Sequence, residues 1–189
     1  MIRQLSFLED LEQGDNRTSC ADYSGRHHGI RVSAEMEMGR AGEYLVMADL
    51  LLAGWVAYPT SQGVPYDIAV DIGHRVVRVQ VKSTKDPKSG SSMHRGTPLY
   101  VFQTRRAGKA GHRRYSNSDF DVLALVALDR RLVAYYALAD CRKDCVAIRV
   151  PGQRYGNGGV QCRYFEDAKF ELALQRVLHS NRQDTHLPR

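Results

Sequence analysis

The sequence predicts an α/β domain, and three observations carry that prediction. Apolar residues recur at helical spacing between Ser33 and Ala53. Two β-rich runs flank Gly73-His74. A nearly continuous apolar run, Phe120 to Leu128, is followed by a second strand-like segment and then a further helical stretch. At 189 residues the chain has room for one well-buried domain, and two would be a squeeze.

Residues 1–32 open with a short amphipathic turn around Leu5, Phe7, Leu8 and Leu11 and continue polar, which predicts an arm ahead of the domain. Ser33 is suited to cap a helix, and Glu35 and Glu37 fall in its first turn, where the helix dipole favours negative charge. Met38, Ala41, Leu45, Ala48 and Leu52 mark one apolar face, and Gly54 stands where a helix ends on glycine. These signals predict a helix over 34–53. Trp55 to Tyr58 is a short strand stopped by Pro59. Residues 66–72 and 75–82 form a hairpin around Gly73-His74, glycine first in a two-residue loop being a type II′ signal.

Residues 98–104 read as a strand, and the Gly- and Arg-rich stretch 105–118 as a loop. The segments 120–128 and 132–138 make a buried hairpin about Asp129-Arg130-Arg131. Residues 146–150 form a short strand before Pro151, and the Gly-rich segment 152–159 is a plain loop. A closing helix over 165–179 ends the domain, 33–180, ahead of a polar tail, 181–189.

No apolar run approaches the roughly 20 residues of a membrane span, and charge enters the N-terminal segment too early for a secretory signal. The chain reads as a cytoplasmic protein with no membrane partner. Cys141 and Cys145 with Cys162 offer three zinc ligands but no evident fourth, so the four cysteines read as ordinary thiols. The net charge of +6 is modest, but its distribution is uneven: between Ile72 and Ser118 eleven basic residues face one acid, Asp86. That local field suits a polyphosphate partner as well as it suits a solvated basic loop.

The hairpin supplies the chemistry. If Gly73 and His74 form the loop, residues facing each other have numbers summing to 147, so Asp67 lies across from Gln80. Facing residues share a side of the sheet, and the period of two adds Lys82, while Val77, Val79 and Val81 take the core side. Slippage by one residue destroys the cluster. A hard cation such as Mg²⁺ takes oxygen ligands, which Asp67, Gln80 and the backbone carbonyl of Val81 supply. It would polarise a phosphodiester and acidify a water, with Lys82 stabilising the charge that develops. Taken singly, each residue is an ordinary surface polar group; together, ahead of a basic segment, they fit phosphodiester hydrolysis.

Gly39-Arg40-Ala41-Gly42-Glu43-Tyr44-Leu45, Pro65-Tyr66-Asp67-Ile68 and Val79-Gln80-Val81-Lys82-Ser83-Thr84 together resemble the PD-(D/E)XK nuclease superfamily over about residues 34–138. The likeness is to its Gln-x-Lys branch, which includes a group I intron homing endonuclease and phage and bacterial proteins. It implies a restriction-endonuclease-like αβββαβ core with a mixed sheet flanked by helices. It also implies a metal-dependent DNA endonuclease that uses Mg²⁺, with Mn²⁺ substituting, on double-stranded DNA as a homodimer or homotetramer. Glu43 joins Asp67, Gln80 and Lys82 in the catalytic set, and Val81 among the metal ligands, chiefly through this resemblance. Gln80 stands where the superfamily norm is Asp or Glu, which implies weaker metal binding. It leaves open a catalytically inactive DNA-binding relative, beside a structure-selective nuclease such as a Holliday junction resolvase. Arg78, Lys85, Arg105, Arg106, Lys109, Arg113 and Arg114 are the expected contacts to nucleic acid, with affinity and register rather than sequence choice as their contribution.

Overall fold

A computed structural model describes residues 33–61, 63–88, 98–108, 111–116, 118–141, 144–152 and 163–184, with backbone alone for 106–108, 111–114 and 181–184. Contacts divide the chain into two units, Met1–Ser33 and Ala34–Arg189, and every described helix and strand belongs to the second. The expected arm, Cys20, Cys162 and residues 185–189 lie outside the described residues.

Helix α1 (Ala34–Leu52) leads into strand β1 (Val56–Pro59), which takes in the Pro59 expected to stop it. Gly54, at φ +85°, closes the helix: its N–H reaches Leu51 O, and the N–H of Trp55 reaches Leu50 O, both at 3.0 Å. These are the two bonds of a Schellman end, which needs a left-handed residue at that position. The buried face of α1 is Gly42, Val46 and Leu50, not the predicted stripe. Ala41 and Ala48 are exposed and Leu52 is 89% exposed. The helix carries two adjacent apolar stripes, and side-chain hydropathy does not count a glycine as the residue that touches the sheet.

Strands β2 (Ile68–Asp71) and β3 (Val76–Thr84) pair antiparallel as Ile68 with Val79, Val70 with Val77 and Asp71 with Val76, the predicted register. Gly73 at φ +88° makes the turn, and Ile72 N–H donates to Arg75 O at 3.1 Å. Beyond the hairpin come β4 (Leu99–Gln103), β5 (Arg105–Gly108), β6 (Gly111–Arg114), β7 (Val122–Ala127), β8 (Leu132–Ala137) and β9 (Cys145–Arg149). The stretch expected as a basic loop is therefore largely a ribbon, β5 antiparallel to β6, with Arg105 facing Arg114 and Arg106 facing Arg113. No apolar alternation announces it, because its pairing is made by backbone. The closing helix α2 runs Phe170–Asp184, starting later than expected and reaching into the predicted tail.

The main sheet is mixed, in the order β1-β2-β3-β7-β8, with β3 and β7 parallel and the other pairs antiparallel. All six residues of β7 are buried, as a parallel strand covered on both faces requires. On one face Val77, Val79, Val81, Val122, Ala124 and Val126 pack with Val46 and Leu50 of α1 and with Phe170, Ala173, Leu174 and Val177 of α2. On the other, Leu123, Leu125 and Ala127 pack beneath Tyr100 and Phe102 of β4 and Val146 and Ile148 of β9, a separate two-stranded sheet. The fold class is as expected, a mixed sheet flanked by helices, with both helices on one face. Among the described residues, the crossover from β3 to β7 carries strands rather than a helix. None of the described helices is long and apolar enough to cross a membrane. Cys141 and Cys145 are free thiols.

Candidate active site

Strand β2 begins at Ile68, opposite Val79, while β3 continues to Thr84, and the site lies where the ladder between them runs out. Asp67, one residue ahead of β2, donates its N–H to Val79 O at 2.9 Å, and its side chain meets that of Gln80 just beyond the last ladder pair, Ile68 with Val79. Val81 is the next residue of β3 turned towards β2, beyond the last ladder pair. There the Asp67 carboxylate takes the place of a strand partner: Oδ2 accepts the Val81 N–H at 2.7 Å. The same oxygen accepts a hydrogen bond from the Gln80 amide Nε2, which also donates to Val81 O at 3.2 Å. One carboxylate, one amide and one backbone carbonyl thus meet at a single point beside the sheet. The backbone of Asp67 is fixed in turn by the N–H of Thr60 on its carbonyl at 3.0 Å, and Thr60 Oγ1 bonds Tyr66 O at 2.6 Å.

Lys82 follows on β3, and its Nζ lies 5.4 Å from the centre of the Tyr115 ring, a cation–π contact. Tyr115 is itself held edge-on against the buried Phe120, ring centres 4.8 Å apart. A firmly seated ring therefore covers one side of the lysine head.

Glu43 stands on α1, which packs against β3, near enough for the charge of Asp67 to act on it. Burial pushes its carboxyl above the usual carboxylate range, and the charge of Asp67 pushes it further. Asp67 is raised too: burial outweighs the Val81 N–H, the Lys82 charge and the Gln80 amide, all of which favour the ionised form. Both carboxyls are raised chiefly by burial, and Glu43 also feels the charge of Asp67. Among the described residues no group of three or more His, Cys, Asp or Glu comes together. The donors are two carboxylates with a neutral amide and a carbonyl, an oxygen set suited to a hard divalent cation.

The expected nucleic-acid contacts divide. Arg78, counted among them from the sequence, has its guanidinium committed to Asp121: Nε lies 3.0 Å from Oδ2 and Nη2 3.0 Å from Oδ1. Nη1 donates to Ser118 O, and the Arg78 backbone N–H also bonds Asp121 Oδ2, at 2.9 Å. With Arg75 Nη2 3.3 Å from Asp121 Oδ1, this group fastens β3 to the start of β7. Asp121 escaped sequence reading because it sits at the mouth of an apolar run; only the crossover brings it to Arg78. Arg105 pairs with Asp144 at 3.0 Å on the surface, and Lys85 is exposed. Arg106, Arg113 and Arg114 lie on the β5–β6 ribbon, whereas Lys109 lies outside the described residues.

The fold is that of α/β nucleases. It resembles the structure of a bacterial homing endonuclease, I-Ssp6803I, with a TM-score of 0.55 at 14% sequence identity, over 82% of this chain and 100% of that one. The chain belongs to the PD-(D/E)XK endonuclease family, whose sequence profile matches residues 34–168. No curated protein matches it in sequence. It is a nuclease-family protein by this membership, as the three motifs implied.

Proposed function

We propose that the protein is a Mg²⁺-dependent endonuclease of double-stranded DNA, working in the cytoplasm as a homodimer or homotetramer. The observation that supports this most is the meeting of Asp67 Oδ2, the Gln80 amide and Val81 O just ahead of β2. In this reading Asp67, Gln80 through Oε1, and Val81 through its carbonyl hold the ion, and Glu43 adds a second carboxylate. The ion, which Mn²⁺ replaces, supplies Lewis-acid polarisation of the scissile phosphate.

Gln80 would turn its amide over, exchanging the nitrogen now directed at Asp67 and Val81 O for the oxygen. Such a half-turn leaves the shape of the side chain unchanged. Lys82, with Tyr115 behind it, holds its ammonium towards the reacting phosphate and stabilises charge as it develops there. The family relationship and the run of arginines on the β5–β6 ribbon support DNA as the substrate. In this reading Lys85, Arg105, Arg106, Lys109, Arg113 and Arg114 grip its phosphates, and Arg78 serves to hold β3 to β7.

Nicking of supercoiled plasmid in Mg²⁺ tests the proposal. Asp67→Ala and Lys82→Ala should each lose at least about 10²-fold in rate, the scale for removing one charge-stabilising group, while retaining DNA binding. Equal nicking by the wild type and both variants would sink the assignment.

A further inference from the structure

Glycine is, after proline, the least favourable residue in a helix interior, yet Gly42 sits in the middle of α1. A Cβ built on it would fall 1.8 Å from Ser83 Oγ, 3.0 Å from Ser83 Cβ and 3.6 Å from Val81 Cγ1. Turning the Ser83 hydroxyl aside relieves the first contact. It does not relieve the second, because the Ser83 Cβ is fixed by the strand backbone. Gly39, one turn earlier in the same helix, would meet nothing within 4 Å. The requirement for a missing side chain is therefore local to one point of the helix.

The closeness has a second sign. Ser83 Oγ is buried and finds no hydrogen-bond partner among the described residues. Helix and strand are pressed together here more tightly than the strand's own polar group would favour. The contact is also flanked by the site: Glu43 follows Gly42, and Val81 and Lys82 precede Ser83.

We propose that Gly42 and Ser83 form a spacer that sets the height of α1 over β3 and so holds the Glu43 carboxylate beside Asp67. Neither touches substrate; both are positioning residues acting through Glu43, and the inference rests on the reading of Glu43 as part of the site. A side chain at 42 lifts the helix and carries Glu43 away from the cluster. The Ser83 Cβ contact asks for a shift of a few tenths of an ångström, and since a misplacement of about 1 Å costs on the order of 10²-fold in rate, a loss of roughly tenfold is expected.

The experiment is a mutant cycle on the full chain, read by kcat and KM for plasmid nicking in Mg²⁺ and by Mn²⁺ affinity of the metal-free protein. Thermal unfolding reports which variants fold. Gly42→Ala should lower kcat roughly tenfold with KM for DNA nearly unchanged, and weaken Mn²⁺ binding about tenfold. In a Glu43→Gln background the same substitution should cost little more, because residues acting through one group are not additive. Gly42→Ala/Ser83→Gly, which removes the opposing Cβ, should recover most of both losses. If Gly42→Ala does not fold, Ser83→Thr enlarges the same contact from the strand side and should reproduce the selective loss of kcat.

Wild-type kcat and Mn²⁺ affinity in Gly42→Ala overturns the spacer, as does full additivity with Glu43→Gln or failure of Ser83→Gly to rescue. For Ser83→Thr, unchanged kcat has the same meaning. If Glu43→Gln itself behaves as wild type, the role of Glu43 fails and the spacer falls with it. An impaired Glu43→Gln beside an unimpaired Gly42→Ala removes the spacer alone.

Discussion

Asp67 and Val81 are joined side chain to main chain, Oδ2 accepting the Val81 N–H at 2.7 Å, just beyond the last ladder pair of β2 and β3. The bond gives Asp67 two duties. It satisfies a backbone donor that the shortened strand leaves open, and it keeps a carboxylate within reach of the Val81 carbonyl and the Gln80 amide. The second duty costs stability, since burial raises the Asp67 carboxyl and the charge of Asp67 helps raise that of Glu43.

These raised carboxyls set the sign of the pH dependence. A carboxyl whose folded pKa is raised binds protons more tightly in the folded state than in the unfolded chain. Its stabilising contribution is full below the ordinary carboxylate range, about 4, and is lost as pH rises through the raised value. At pH 7 both groups therefore weigh against the metal-free fold. Asp67→Asn, which keeps an acceptor for the Val81 N–H, should raise the thermal midpoint of the metal-free protein at pH 7. The gap should close as pH falls into the ordinary range. Divalent ion at about 100 times its Kd should stabilise the wild type by roughly 2.7 kcal/mol and leave Asp67→Asn nearly unmoved. Calorimetry with and without Mn²⁺ at two pH values checks all three; a lower midpoint for the variant at pH 7 would contradict the account.

Gln80 is the neutral member of the set. Gln80→Glu places a third carboxylate against Asp67, so the metal-free protein should lose stability through like-charge repulsion. The same charge should tighten Mg²⁺ binding by on the order of tenfold, about 1.4 kcal/mol. Titrating nicking rate against Mg²⁺ should show the half-saturating concentration falling accordingly. An unchanged or higher concentration would mean that the side chain at 80 does not face the ion.

Arginines with different partners should respond differently to removal. Asp121→Ala leaves the Arg78 and Arg75 guanidinium groups without their carboxylate and the Arg78 backbone N–H without its acceptor. Urea unfolding should show a loss of about 2–4 kcal/mol, the range for breaking a half-buried, hydrogen-bonded charge group. Arg106→Gln/Arg113→Gln, on the ribbon, should leave stability within about 0.5 kcal/mol. It should instead reduce the slope of log binding constant against log salt by about 1.8, two phosphate contacts' worth. A salt slope unchanged in the ribbon variant would take the ribbon out of the DNA interface.

The sequence by itself determined the hairpin and what the hairpin aligns. A two-residue turn and a side-chain period of two are local, so Asp67, Gln80 and Lys82 could be brought to one side of a sheet by counting. Its motifs also pointed to the family that the profile match over residues 34–168 establishes. Tertiary structure decided what depends on contacts between distant segments. The sheet face of α1 went to Gly42, Val46 and Leu50 because a glycine's contribution is the side chain it lacks, which hydropathy cannot register. Arg78 went to Asp121 because a long crossover, unreadable from either residue's neighbours, sets β7 beside β3. The bond from Val81 N–H to Asp67 arose because β2 begins only at Ile68 while β3 runs on to Thr84, and how far a strand extends depends on the pairing it is given as well as on its residues.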